Sequence, residues 1–390
     1  LLYLAPERLM TERMLNALAR LPVNLIAIDE AHCLSRWGPS FRPEYEALSR
    51  LREIFPGVPM AALTATADET TQDDIAGKLF GGNGRRFVSG FDRPNIRLGV
   101  EMRSDARRQL LSVVRGHPGE SGIVYCLSRA KTDKMALFLS DNGVRALPYH
   151  AGMTAGARTE NQNIFMTEPG CVIVATIAFG MGIDKPDVRF VFHTDLPGSV
   201  ESYYQEIGRC GRDGKPAEAH MLYGLADIRM RRMFIDQDGE DTGHKRREHK
   251  RLDVLIAYCE SPQCRRQALL SYFGENTEPC GNCDLCQNPP EMTEGAVEGQ
   301  KVLSAAYRTG QCFGAAHLID VLRGADTEKI RAKGHQNLST YGAGADLDKE
   351  SWRSIIRQLV AAGFMRLDVQ GYGGLSITEK GHALLRGEEA

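Results

Sequence analysis

The stretch IAIDEAH, residues 26–32, decides how the rest of the chain is read. Leu25 to Ile28 are apolar, and Asp29, Glu30 and His32 follow at once. An apolar run that ends in carboxylates is how a buried parallel strand presents acidic groups at its C-terminal end. Acids so placed suit a nucleotide-bound metal ion. Asp29 would contact it through water, and Glu30 would polarise an attacking water. The same string also occurs as an acidic turn after an ordinary strand, so its surroundings have to decide.

Those surroundings repeat the pattern. NLIAI (24–28) and PMAAL (59–63) are strand-like, and each runs through polar turn residues into a helical pattern. GIVYC (122–126), ALPYH (146–150), VIVAT (172–176) and RFVFH (189–193) form a second series with helices between them. Strands alternating with helices specify parallel sheets with functional groups at the strands' C-terminal ends. The expected fold is α/β, with two lobes in series and a cleft between them. FDRPNIRLGV (91–100) reads as the crossing linker.

Past residue 226 the character changes to basic helices, then to clustered cysteines and the linker QNPPEM (287–292). From 298 three helical stretches precede two short strand-like runs around Gly371-Tyr372-Gly373-Gly374, a hairpin signal and a winged-helix pattern. The expected divisions are 1–92, 93–225, 226–290 and 295–390.

The chain has 390 residues, 42% of them hydrophobic, enough for several packed cores. No run of 18 apolar residues suggests a membrane span. The net charge is −2, so bulk charge does not announce a polyanion partner. Charge is concentrated in RMRRMFIDQDGEDTGHKRREHKR (229–251), readable as a solvated helix face or as a phosphate-tracking surface. Six of the ten cysteines are scattered, which fits a reducing cytosol. The other four, Cys264, Cys280, Cys283 and Cys286, have the C-x15-C-x2-C-x2-C spacing of a closed tetrahedral Zn²⁺ site. An iron–sulfur centre is the chemical rival; the bacterial ferredoxin run would want a cysteine where Pro290 stands.

Further chemistry sits at other strand ends. Thr64 and Thr66 in ALTATA (62–67) can hydrogen-bond His32 or Glu30 and relay nucleotide state between lobes. In ESYYQEIGRCGRDG (201–214), Gln205 and Arg209 lie four apart on one helical face, and Arg212 follows among glycines. Two arginines so spaced can neutralise a γ-phosphate from across a cleft; a helix C-terminus with favourable basic residues is the plain alternative. Asp184 can take a ribose hydroxyl, and Ser128 with Arg129 suits a backbone phosphate. No G-x-x-x-x-G-K-[ST] phosphate loop occurs: Gly77-Lys78 is followed by Leu79, and Gly214-Lys215 by Pro216. With Leu1 already in a strand-like run, the expectation is a chain whose residue 1 falls inside its first lobe.

YLAPERL, DEAHCLSRWGPSFRPEY, LTATAD, VYCLSRAKTD, YHAGM, ATIAFGMGIDKP and YYQEIGRCGRDG follow one another in the order of helicase motifs. Together with the cysteines and the winged-helix pattern, they resemble the RecQ family of ATP-dependent DNA helicases along the whole chain. The resemblance implies two RecA-like lobes, the first incomplete here, then a helical zinc-binding domain and a winged-helix domain. It implies ATP, Mg²⁺ and Zn²⁺ as cofactors and 3′-to-5′ unwinding of DNA in repair and recombination. Asp29, Glu30, His32, Gln205, Arg209 and Arg212 would be the catalytic set. SRWGPSFRPEY (35–45) resembles the family's aromatic-rich loop, in which Trp37 and Phe41 stack on unpaired bases and Arg42 meets phosphate. The family usually has His-Asp where this chain has Pro39-Ser40, which puts in doubt a polar link from that loop to the nucleotide site. Tyr372 would meet duplex DNA at the hairpin tip. Expected partners are single-stranded DNA, duplex junctions and a single-stranded-DNA-binding protein at the winged helix. The expected location is cytoplasmic, on a bacterial nucleoid.

Overall fold

The computed structural model describes residues 1–35, 42–67, 69–176, 179, 183–237, 242–367 and 374–389. Trp37, Phe41 and Tyr372 lie outside the described residues.

In the first lobe, β1 (Ile26–Ile28) and β2 (Met60–Ala62) pair in parallel, Ile26 opposite Met60. The helix Glu69–Phe80 packs Ile75 and Leu79 against Ile28, Leu34 and Leu51. Asp29 and Glu30 leave the C-terminal end of β1, as expected for a parallel strand.

The second lobe is a six-stranded sheet. Its strands are β3 (Ile96–Met102), β4 (Ser121–Tyr125), β5 (Ala146–Tyr149), β6 (Val172–Ala175), β7 (Val188–His193) and β8 (Ala217–Tyr223). Their spatial order is β3-β8-β7-β4-β6-β5, every pair parallel. β4, β6 and β7 are buried along their whole length, because the faces on both sides are covered. Gly122 is required in β4: a Cβ there would lie 2.1 Å from the Phe190 ring. The strand order reverses around β4, whose neighbours are β6 and β7. The ends of these three strands therefore border the crevice where such sheets bind ligands.

Two strands depart from the sequence reading. Residues 91–100 do not merely cross between lobes, since β3 occupies Ile96–Met102 as a sheet edge. Its partner β8 was not anticipated. Arg97, Glu218 and His220 interleave with the apolar residues and mask the strand pattern.

In the basic segment, much of the charge is turned inward. Helices Leu225–Gln237 and Thr242–Glu260 pack together, and many of their charges face each other. Arg232 pairs with Asp253 at 2.6 Å and His249 with Asp236 at 2.8 Å, while Arg251 pairs with Glu248. Arg231 donates to the Leu196 carbonyl. Among the described residues of this segment, Arg229, Arg246 and Lys250 remain exposed.

The last part contains helices Ala296–Arg308, Ala315–Leu322 and Lys349–Ala361 and the antiparallel pair β9 (Met365–Leu367) and β10 (Leu375–Ile377). Trp352 is fully buried and donates its indole N–H to the Gly344 carbonyl at 2.8 Å. Three helices plus a hairpin is the expected winged helix, with the helices Glu328–Lys333 and Glu379–Arg386 added. It docks on the helix Thr242–Glu260 through a buried pair, Arg357 Nε to Glu260 Oε1 at 3.0 Å. The Tyr223 hydroxyl donates to the same oxygen at 2.8 Å. Among the described residues, no helix is long and apolar enough to cross a membrane.

Candidate active site between the lobes

Glu30 follows β1 in a left-handed backbone conformation, φ 50° and ψ 42°. A non-glycine residue held there is strained, and such residues cluster at functional sites. Its N–H donates to Asp29 Oδ1 at 2.9 Å. Burial raises the Glu30 carboxyl, the Asp29 charge adds to this, and the Arg209 guanidinium opposes it. Arg209 thus acts electrostatically on Glu30 although the two belong to different lobes.

His32 is buried and lies 2.9 Å from Thr64 Oγ1 and 3.3 Å from Glu30 Oε2, both measured from Nδ1. Burial lowers its pKa, Glu201 and Asp29 oppose the fall, and Arg42 adds to it. The expected link between LTATA and the DEAH residues is therefore present. Thr66 completes it across the cleft, because Gln205 Nε2 donates to Thr66 Oγ1 at 2.8 Å.

Gln205 lies on the helix Val200–Ile207, capped by Ser199, whose hydroxyl accepts from the Ser202 N–H. The other faces of this helix are firmly held. Glu201 accepts from the Tyr272 hydroxyl at 2.6 Å, and Glu206 pairs with His193 at 2.7 Å in the interior. The turn after the helix is clamped by residues 93–95. Arg93 donates to the carbonyls of Gly208, Cys210 and Gly211, at 3.3, 3.1 and 3.0 Å. Asn95 donates to Gly211 and Lys215 at 2.8 and 2.9 Å. Gly211 has φ 59°, and a Cβ there would lie 2.4 Å from the Asn95 amide, so only glycine fits. Arg93, Asn95, Tyr125, His193 and Glu206 were not singled out from the sequence. The signal that could have found the first two is the Gly-rich turn itself, whose carbonyls need donors.

Arg212 and Asp184 come together, Nη1 to Oδ1 at 2.6 Å, at the exposed rim. A phosphate arriving at Arg212 would compete with Asp184. Ser128 caps the helix Arg129–Asp141 by accepting from the Lys131 N–H, which places Ser128 and Arg129 exposed at a helix N-terminus beyond β4. Arg42 is exposed beside the residues that lie outside the description.

The four cysteines of the expected metal set converge. All four Sγ atoms lie within 4.8 Å of one another, with Cys264 and Cys280 at 3.5 Å. Tetrahedral thiolates at about 2.3 Å from Zn²⁺ are spaced about 3.8 Å apart. Cys283–Cys264 at 3.9 Å and Cys280–Cys286 at 4.0 Å fit one ion and leave no room for an iron–sulfur cluster. The Cys280 and Cys286 N–H groups donate to Cys264 and Cys283 sulfur, as thiolate ligands require. Behind the site, Asp284 pairs with Arg265 at 3.1 Å and accepts the Val100 N–H at 3.1 Å, fastening the zinc loop to β3.

Residues 105–214 match the Helicase conserved C-terminal domain, 225–287 the RecQ zinc-binding family and 289–390 the RQC domain. The chain is 46% identical over 391 residues to the ATP-dependent DNA helicase RecQ of Haemophilus influenzae, covering 100% of this chain and 63% of that protein. The RecQ helicase of Pasteurella multocida is 44% identical, with 100% and 62% covered. That of Bacillus subtilis is 36% identical, with 100% and 66% covered. The chain thus spans a little under two thirds of the length of these relatives. It belongs to the RecQ family.

Proposed function

We propose that this chain supplies the hydrolytic acids, the arginines and the DNA-binding surfaces of an ATP-dependent DNA helicase acting 3′ to 5′ in repair and recombination. The observation that carries the proposal is the Gln205–Thr66 hydrogen bond, which closes the two lobes with Glu30 and Arg209 in one electrostatic site. Mg²⁺, when bound with ATP, offsets charge on the phosphates. Asp29 would hold the metal through its water shell, and Glu30 would take the proton from the attacking water. Arg209 and Arg212 stabilise charge on the transferred phosphoryl group. His32 and the two threonines pass the state of that site to Gln205 and the second lobe. Ser128 and Arg129 hold one DNA strand by its phosphates, Trp37, Phe41 and Arg42 sense unpaired bases, and the winged helix with Tyr372 meets the duplex. A single-stranded-DNA-binding protein at the winged helix and a cytoplasmic, nucleoid-associated location belong to the same reading.

A second reading applies to residues 1–390 taken alone. They contain no phosphate-cradling G-x-x-x-x-G-K-[ST] stretch, so acids and arginines would face a γ-phosphate that nothing holds in line. Alone, these residues are a DNA-binding unit with negligible ATP turnover.

The test uses the full-length protein with ATP and single-stranded DNA, RNA or no nucleic acid. DNA-stimulated hydrolysis that is lost in Glu30→Gln, with DNA binding retained, is the expected result. Equal stimulation by RNA, or unchanged turnover in Glu30→Gln, would overturn the proposal. Robust hydrolysis by residues 1–390 alone would overturn the second reading.

A further inference from the structure

Asp195 lies two residues past β7 and is buried. Its carboxylate is met from two other strand ends. Oδ2 accepts the Leu127 N–H, beyond β4, at 3.0 Å and lies 2.8 Å from the Thr194 hydroxyl. Oδ1 accepts from Lys131 Nζ at 2.7 Å and from Arg103 Nη2, just past β3, at 3.2 Å. Arg103 also pairs at 2.6 Å with Asp227, buried on the helix Leu225–Gln237. Two carboxylates thus balance two largely buried cations. Charge-assisted donors on both oxygens leave the Asp195 carboxylate one orientation.

Two of these contacts bracket an exposed pair. Leu127 and Lys131 stand on either side of Ser128 and Arg129, which are exposed at the start of the helix Arg129–Asp141. One carboxylate therefore holds the backbone before the pair and a side chain after it. The Ser128 hydroxyl accepts the Lys131 N–H at 3.3 Å and closes the turn. The Arg129 stem runs beside Gly152, where a Cβ would lie 3.2 Å from its Cδ. The base of Arg129 is thus fixed by Asp195, and its stem uses the space left at Gly152.

We propose that Asp195 is a positioning residue for DNA, fixing the turn from which Ser128 and Arg129 reach a backbone phosphate. The inference rests on the reading of Ser128 and Arg129 as that contact. Phosphate contacts set the register of a bound strand, and an arginine whose base is preset loses less freedom when it binds. The sign of the effect separates this role from plain electrostatics. Loss of a carboxylate near a polyanion would by charge alone tighten binding, whereas loss of the support weakens it.

In the full-length protein, Asp195→Asn should raise the Kd for a single-stranded oligonucleotide about tenfold, the size of one charge-assisted contact. The half-saturating DNA concentration for ATP hydrolysis should rise by the same factor, with the rate at saturating DNA changed less than about twofold. In an Arg129→Ala background the substitution should add nothing further. If Asp195→Asn does not fold, Asp195→Asn combined with Lys131→Met removes one charge of each sign and carries the same expectations. A Kd within about twofold of the parent's or tighter, or an equal tenfold loss without Arg129, overturns the proposal. So does an Arg129→Ala variant that binds DNA like the parent. A parent that binds DNA without DNA-stimulated hydrolysis rejects the helicase reading, and the binding measurements still decide the role of Asp195. A parent that does not bind DNA rejects both.

Discussion

Gln205 Nε2 lies 2.8 Å from Thr66 Oγ1, and this one hydrogen bond joins side chains 139 positions apart in different lobes. Thr66 is buried, so its hydroxyl has little water to turn to when the cleft closes. Removing it leaves the Gln205 amide short of an acceptor.

Thr66→Val keeps the shape and deletes the hydroxyl. In the full-length protein, DNA-stimulated ATP hydrolysis should fall about tenfold, the loss expected for one charge-neutral contact made at closure. Thr66→Ser should recover most of it. Steady-state hydrolysis with saturating single-stranded DNA is the measurement, and equal rates for valine and serine would show that the bond is incidental.

Cys280→Ser should release zinc. Structural zinc contributes about 10–16 kcal/mol in finger peptides, against about 5–15 kcal/mol for a whole domain's stability. Metal analysis should drop from one zinc per chain to almost none. Protease sensitivity should appear within 225–287 and spread to β3, because Asp284 then no longer secures the Val100 N–H. Full zinc retention in the variant would contradict the four-cysteine site.

Arg93→Ala should loosen the turn that carries Arg209. The Cys210 carbonyl loses its donor and those of Gly208 and Gly211 each lose one of two or more, and an unsatisfied buried group costs about 1–3 kcal/mol. The melting temperature and the hydrolysis rate should fall together. Arg93→Lys should rescue little, because an ammonium cannot span three carbonyls as the planar fork does. A lysine variant with parental turnover would show that the clamp is dispensable.

The winged helix should weaken in mild acid. His317 Nε2 and His335 Nδ1 are 2.8 Å apart, both rings buried against Phe313. Their bond needs a lone pair on one nitrogen, so the pair must not become doubly charged. Burial, then His335 and Lys329, push His317 from 6.5 down to about 4, and burial with Lys333 also lowers His335. The folded state therefore binds fewer protons than the unfolded chain between these values. This stability is fully present above pH 6.5 and is lost as pH falls towards 4. Unfolding followed by Trp352 fluorescence in a Trp37→Phe background should show the slope, and His317→Gln should flatten it. A slope unchanged by His317→Gln would assign the acid sensitivity elsewhere.

Much of this site was legible because its chemistry is local. Asp29 and Glu30 follow their strand directly, Gln205 and Arg209 share a helical face, and three of the four zinc ligands lie between Cys280 and Cys286. Short spacings on one element fix relative position before any packing occurs. The sequence by itself therefore determined the parallel α/β pattern, the acids, the arginine turn, the cysteine set and the winged helix.

Only the tertiary structure decided what holds them. Tyr125 reads as a buried strand residue, His193 as the end of another, and Arg93 as a charge in a linker. Tyr125 stacks on His193, His193 pairs with Glu206, and Arg93 clamps the turn that carries Arg209, because the order β3-β8-β7-β4-β6-β5 brings distant strand ends to one crevice. The same applies to β8, whose partner β3 is more than 100 residues earlier, and to the basic helices, whose acidic partners face them only after packing. A sequence states which charges and donors a segment carries. Which partner satisfies each one depends on burial, since a polar group removed from water must find its hydrogen bond in whatever the fold places beside it.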